Sequence, residues 1–83
     1  MAMFNQAFTR VHRIFQIDVP APGVQPNGHA VASLTEFHPG EGPHMGSASM
    51  KVYNVAPKTG FVSVRGEVDW DDDLDIRVTV WYE

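Results

Sequence analysis

The chain contains no cysteine among its 83 residues, so neither a disulfide nor a thiolate metal site can stabilise it. It also has no apolar run long enough to cross a bilayer. Its first residues lack the basic and apolar segments of a secretion signal. We therefore expect no membrane insertion. The sequence leaves open whether the protein is cytoplasmic, a processed form, or exported by a route that the sequence does not reveal.

Basic residues are scarce as well: six Lys and Arg against ten Asp and Glu give a net charge of −4. An acidic surface makes nucleic acid and anionic membranes poor partners. A domain of this size buries only about 60% of the surface of its unfolded chain. Because disulfides are absent, self-association is the remaining source of stability, and we expect a homo-oligomer.

The second half of the chain, residues 47–83, contains three runs in which apolar and polar side chains alternate, as in half-buried strands. The Pro- and Gly-containing segment 56–60 and the polar segment 69–73 separate these runs. We predict a three-strand antiparallel meander, in which Val55 lies on the face opposite to Val52. The last run has the clearest apolar face, formed by Leu74, Ile76, Val78, Val80 and Tyr82.

The first half divides into an arm and two further strands. Residues 1–9 are interpreted as an arm that packs on a neighbouring subunit, with a short helix or a frayed end as the alternatives. Residues 10–83 form one domain. Its upstream segments are a strand, a Pro- and Gly-rich loop, a strand and a second loop, at residues 11–19, 20–28, 29–37 and 38–44. The pattern predicts an all-β domain, a small antiparallel β-sandwich of about six strands.

The order of several short motifs resembles the H-type lectins. That family has an S/T-P-T-G-F turn, a Trp-bearing loop and a final strand with S-W-I, for which the counterparts here are Val55–Phe61, Trp70 and Val80–Tyr82. Upstream, Ala32–Phe37 is similar to the family's L-S-I-T-Q-L strand. The resemblance covers roughly residues 13–83. It implies a lectin-like sandwich, assembly as a homotrimer or homohexamer, and binding of glycans at a subunit interface.

The same resemblance points to the Trp-bearing loop as the sugar site. In the family this Trp contacts N-acetylgalactosamine together with an Arg from a neighbouring subunit. Trp70 matches the Trp, the following His of the snail members is replaced by Asp71, and the position of the Arg falls on Ser47. The specificity for N-acetylgalactosamine therefore does not carry over to this chain.

Side-chain chemistry supports the same loop independently. Carboxylates accept hydrogen bonds from sugar hydroxyls, and an aromatic ring packs on the C–H face of a sugar. For Trp70 the alternative is packing on the subunit beneath it. We expect a multivalent carbohydrate-binding protein, and the alternative is a trimerising structural or receptor-binding tip without a sugar site. The candidate ligand-binding residues are Ser47, Trp70, Asp71, Asp72 and Asp75.

The histidines and serines of the sequence predict neither an active site nor a metal site. The serines have no G-x-S-x-G context, so neither an enzyme nor a cofactor is expected. His38, Glu41 and His44 have an H-x-x-E-x-x-H spacing that differs from the helical H-E-x-x-H motif. Because they also lie in a Pro- and Gly-rich segment, we expect no metal site there.

The crowded aspartates of segment 69–75 invite a calcium interpretation. Carboxylates at alternate positions resemble the start of an EF-hand loop, but Leu74 stands where Gly is needed and Val80 where the bidentate Glu is needed. An EF-hand is therefore excluded. A looser calcium site stays open, beside the alternative of a charged hairpin tip that prevents edge-to-edge pairing.

Overall fold

The computed structural model describes residues 3–83, which form two antiparallel sheets. Sheet A has the strand order β1-β7-β3-β4, and sheet B has the order β2-β6-β5. This confirms the predicted all-β, antiparallel architecture. Residues 3–83 include no helix long and apolar enough to cross a membrane. The strands are β1 Met3–Val11, β2 Arg13–Pro20, β3 Ala30–His38, β4 Gly42–His44, β5 Ser49–Pro57, β6 Phe61–Asp69 and β7 Leu74–Tyr82.

The core lies between the two sheets and is built mainly from the inward faces of β6 and β7. Burying one such aliphatic side chain fully contributes roughly 1.5–3 kcal/mol. The alternation predicted for both strands is confirmed, because their apolar positions are the buried ones. Side chains with no solvent exposure include Val62, Val64, Val68, Ile76, Val78 and Val80.

The predicted meander is correct for its first hairpin and wrong for its second. β5 and β6 pair as expected, and Gly60 has a φ of 85°, which glycine adopts readily. β7, however, does not pair with β6 but lies in the other sheet, between β1 and β3. The physical reason is that alternation specifies which face of a strand is buried, not which strand lies beside it. Both edges of β6 are already occupied, by β2 and β5.

A β-bulge in β5 corrects the predicted orientation of its second half. Val52 pairs with Gly66 but Asn54 pairs with Arg65, so Tyr53 is an extra residue without a partner. Because side chains alternate between the two faces of a strand, one extra residue moves every later side chain to the opposite face. Val55 therefore pairs with Val64 and packs against the core, whereas the alternation placed it on the opposite face.

The predicted N-terminal arm is largely an edge strand of the chain's own sheet. β1 pairs with β7 along its whole length, from Met3 opposite Tyr82 to Val11 opposite Leu74. Residues 3–9 therefore lie in β1 and not in a short helix. The boundary expected at residue 9 falls inside this strand, and residues 1–2 of the arm lie outside the described residues.

The segment predicted to be a loop at residues 38–44 contains a tight hairpin. β4 pairs with the end of β3, with Glu36 opposite His44 and His38 opposite Gly42. The turn is possible because Gly40 and Gly42 have φ values of 84° and 95°. The prediction of an irregular loop is therefore wrong for residues 42–44, and the hairpin fixes side chains that the sequence left unplaced.

Candidate functional site

Trp70 lies in the loop between β6 and β7, where the chain passes from sheet B to sheet A. Its side chain is exposed. The loop crosses the end of the sandwich beside the corner between β1 and β2, which is formed by His12 and Arg13. At this corner Arg13 has a φ of 60°, an uncommon conformation for a residue other than glycine. The two connections together place a cation next to the acidic loop.

Arg13 holds two aspartates of this loop. Its Nη1 donates a hydrogen bond to Asp69 Oδ1 at 2.9 Å, and its Nη2 donates one to Asp71 Oδ1. Ion pairs between exposed groups contribute only about 0–1 kcal/mol each, so a ligand can rearrange them at little cost. Nearby, His12 Nδ1 lies 2.5 Å from Asp73 Oδ1. Carboxylates of the loop are thus paired with an arginine and with a histidine.

These residues surround a cavity that we call the Trp70 cavity. Its volume is about 410 Å³, and its lining combines guanidinium donors, carboxylate acceptors and an indole ring. The sequence argument missed Arg13, because its position depends on the backbone corner and no local motif indicates it. The lining residues are Arg13, Asp69, Trp70, Asp71 and Asp72.

Two of the residues predicted for the ligand site lie away from this cavity. Ser47 contributes instead to a groove of about 240 Å³, which also includes Trp70 and Leu74. Asp75 does not line either space and pairs with Arg10, whose Nε lies 3.6 Å from Asp75 Oδ1. The structure therefore brings together three of the five predicted residues.

A second cluster lies at the hairpin of β3 and β4. Glu36, only 9% exposed, has its Oε2 2.8 Å from Nε2 of His38. Nδ1 of His38 lies 3.2 Å from Oε2 of Glu41. The rings of His38 and His44 are stacked, with centroids 4.0 Å apart. The hydrogen bond with Glu36 raises the pKa of His38, desolvation partly opposes this, and Glu41 adds to the increase.

The residues near His38 and His44 differ from those expected from the sequence. No metal site was predicted because Glu41 was taken as the carboxylate and segment 38–44 as an irregular loop. Here Glu36 joins the two histidines, and candidate ligand atoms of Glu36, His38 and His44 all lie within 4.8 Å of one another. The sequence could have indicated that Glu36 lies beside His38, because the period of two along a strand puts positions 36 and 38 on one face.

Apolar side chains are exposed on the outer face of sheet A. Phe4, Trp81 and Val31 stand in one row across β1, β7 and β3, and they are 66%, 41% and 62% exposed. Further along the same face, the rings of Phe8 and Phe37 lie 4.9 Å apart. Contiguous exposed apolar surface of this kind commonly marks an interaction site.

Comparisons with protein-family models, with curated proteins and with solved structures found no match to this chain. The resemblance to the H-type lectins therefore stays a prediction.

Proposed function

We propose that this protein is a carbohydrate-binding protein that binds a glycan in the Trp70 cavity. The observation that carries the proposal is the convergence of an exposed indole, a guanidinium and carboxylates around about 410 Å³. Ligand sites of small molecules commonly have volumes of about 300–1,000 Å³. A sugar offers a C–H face to the ring of Trp70, and its hydroxyls both donate to carboxylates and accept from Arg13.

Arg13 supplies the donor that the sequence argument looked for at Ser47. Arginine presents five N–H donors in a fixed fork, so it can hold a sugar oxygen while it stays paired with an aspartate. Because each sugar contact replaces an equally good contact with water, a single site is expected to be weak.

Weak sites gain from multivalency, so the proposal includes a homotrimer or homohexamer with a sugar site at a subunit boundary. The exposed outer face of sheet A is our candidate interface, from the row of Phe4, Val31 and Trp81 to Phe8, which lies nearer to the end of β7 that the Trp70 loop joins. Linked sites can exceed the affinity of one site by about 10²–10⁴ when geometry permits simultaneous binding.

The alternative function is a trimerising structural or receptor-binding tip without a sugar site. One observation favours it: Arg13 already pairs with Asp69 and Asp71, so its guanidinium has partners without a ligand. In this alternative, the apolar outer face of sheet A provides the functional surface.

A glycan array followed by titration of the best glycan separates the two functions. Trp70→Ala should weaken binding by roughly thirtyfold or more, since truncating an aromatic anchor costs about 2 kcal/mol or more. Asp72→Asn should weaken binding as well. Asp75→Asn is the matched control, because this carboxylate pairs with Arg10 outside the cavity and its loss should leave affinity unchanged.

Mass measurement of the variants completes the test. The proposal expects Trp70→Ala to keep the mass of the wild-type assembly while it loses the glycan. Absence of any bound glycan, or a Trp70→Ala variant that loses assembly together with binding, would instead support the structural tip.

A further inference from the structure

We propose that Glu36, His38 and His44 form a binding site for a divalent transition-metal ion, with Zn²⁺ as the best match. The hairpin brings these ligands together through its strand geometry. Glu36 and His38 are two positions apart on β3, so their side chains leave the same face of the strand. His44 stands directly opposite Glu36 on β4. Cross-strand partners have their Cβ atoms only about 4.5–5.5 Å apart.

The distances between the ligand atoms suit one shared ion. Two donors that each lie about 2.1 Å from a tetrahedral zinc ion are about 3.4 Å apart. Nε2 of His38 and Oε2 of Glu36 are 2.8 Å apart, and ligand atoms of the three residues all lie within 4.8 Å of one another. Side-chain rotations can supply the remaining adjustment. The ion would take the place of the hydrogen bond between Glu36 and His38.

The surroundings of the ligands are also those of a metal site. Glu41 Oε2, 3.2 Å from Nδ1 of His38, can accept a hydrogen bond from the N–H at that nitrogen, which leaves the lone pair of Nε2 for the ion. Histidine ligands commonly have such a carboxylate partner. The chain at Gly46 passes so close to Glu36 that a Cβ there would clash with Oε1. The carboxylate is thus confined as well as buried.

The donor set selects the type of ion. Two imidazoles and one carboxylate suit Zn²⁺ and other late transition metals, whereas Ca²⁺ and Mg²⁺ prefer oxygen ligands alone. Three protein ligands leave a fourth position for water or a ligand. Glu36 and His44 also border the groove that contains Ser47 and Trp70, so the ion would lie beside this groove.

The test is a calorimetric titration of the full chain with zinc chloride, after treatment with EDTA and desalting. The wild type should bind one equivalent per chain. His44→Ala should bind at least about tenfold more weakly, the lower end of what altered metal-site partners usually cost. His44 is exposed, so this variant should keep the fold. His12→Ala is the matched control, since His12 pairs with Asp73 and is not a member of the cluster of Glu36, His38 and His44.

A second measurement covers the buried ligand, whose replacement could disturb the hairpin. In NMR spectra of the wild type, zinc should shift the imidazole signals of His38 and His44 and leave those of His12 and His29 unchanged. Glu36→Gln, with a neutral side chain of the same shape, should weaken binding by at least about tenfold. Equal affinity of His44→Ala and wild type, or equal shifts of all four histidines, would overturn the proposal. Trp70→Ala should still bind zinc, which separates this site from the sugar site.

Discussion

Arg13 combines an unusual backbone conformation with a site beside the Trp70 cavity. Its φ of 60° is in the left-handed region, which costs a residue with a Cβ roughly 1–2 kcal/mol relative to glycine. The side chain compensates only weakly, because its two ion pairs with aspartates are exposed. The strain is thus located where the chain changes sheets and where the candidate site needs a cation.

The strain at Arg13 gives a paired prediction. Arg13→Gly and Arg13→Ala both remove the ion pairs, but only glycine relieves the left-handed backbone. We expect Arg13→Ala to be less stable than Arg13→Gly by about 1 kcal/mol, and Arg13→Gly to stay within about 1 kcal/mol of the wild type. Urea denaturation measures both differences. Equal stability of the two variants would mean that the corner is not left-handed in solution.

His38 gives a pH prediction for the metal-free protein. Its hydrogen bond with Glu36 raises the pKa of its imidazole above the ordinary value of 6.5. Because the folded-state pKa is the higher one, the stabilisation is fully present below pH 6.5 and is lost as the pH rises through the folded-state pKa. An NMR titration of the His38 ring protons should show the raised pKa directly.

Two carboxylate variants identify the cause of this shift. Glu36 contributes most and Glu41 less, so Glu36→Gln should lower the pKa of His38 further than Glu41→Gln does. The reverse order would show that the partner in solution is Glu41. Neither variant changes the number of histidines, so the titration remains assignable.

Some residues gained their roles from contacts that no sequence pattern indicates. The Pro-rich segment 20–28 was predicted as a loop, correctly except for Pro20, which ends β2. Val24 within it is nevertheless 1% exposed and part of the core. Gly60 explains this, because its N–H donates to the carbonyl of Val24 and ties the loop to the turn between β5 and β6. Arg13 is a similar case. It has no informative sequence neighbours and is placed by the corner between β1 and β2.

Gly66, at the centre of β6, sets the spacing between this strand and its neighbours. A Cβ at this position would stand 2.8 Å from the backbone oxygen of Lys51 and 3.0 Å from Cζ of Phe15. A ladder carbonyl cannot move aside as a flexible side-chain end can. Gly66 therefore lets β5 and the core approach β6 closely.

We predict that Gly66→Ala destabilises the protein by about 1–3 kcal/mol, the usual cost of overpacking a core. Arg65→Ala, at the neighbouring exposed position, should change stability by no more than about 0.5 kcal/mol. The midpoints of urea denaturation compare the two. A Gly66→Ala variant as stable as the control would show that β5 is free to move away from β6.

Most strand positions and buried faces were predictable here, whereas only one strand pairing was, the β5–β6 hairpin with its short turn. The alternation in β6 and β7 named their inward residues correctly, because it reports burial directly. It carried no information on pairing, so the crossing of β7 to sheet A was missed. The bulge at Tyr53 was missed for a related reason: Val52 and Val55 are both apolar, and a shift of one residue leaves no mark in the composition.

Whether the protein is a monomer or an assembly depends on which aromatic side chains are exposed on the molecule. β7 ends in two aromatic residues, Trp81 and Tyr82. Tyr82 is 4% exposed and belongs to the chain's own core, so only Trp81 remains available. Phe4 and Val31 lie beside Trp81 on the neighbouring strands. The sequence does not show this, because the three residues come from different strands. The case for assembly thus depends on a row across sheet A rather than on the last strand alone.

The final prediction concerns this row. The protein should have a mass in solution that is a multiple of 9.2 kDa, and Trp81→Lys should reduce it to that of one chain. Trp81 is the middle member of the row, so a lysine there places an unpaired charge at the centre of the interface. Its side chain points away from the core, so the isolated chain should keep its strands by circular dichroism.

The control for Trp81→Lys is Met45→Lys. Among the large apolar residues that the structure describes, Met45 is the most exposed, at 95%, but it lies in the loop after β4 and not on the outer face of sheet A. The same change of charge there should leave the mass of the assembly unaltered, because Met45 does not belong to the row of Phe4, Val31 and Trp81 at the candidate interface. Light scattering distinguishes the outcomes. A wild type that scatters as a 9.2 kDa particle at micromolar concentration would remove multivalency from the proposed function, and the Trp70 cavity would have to bind its glycan one site at a time.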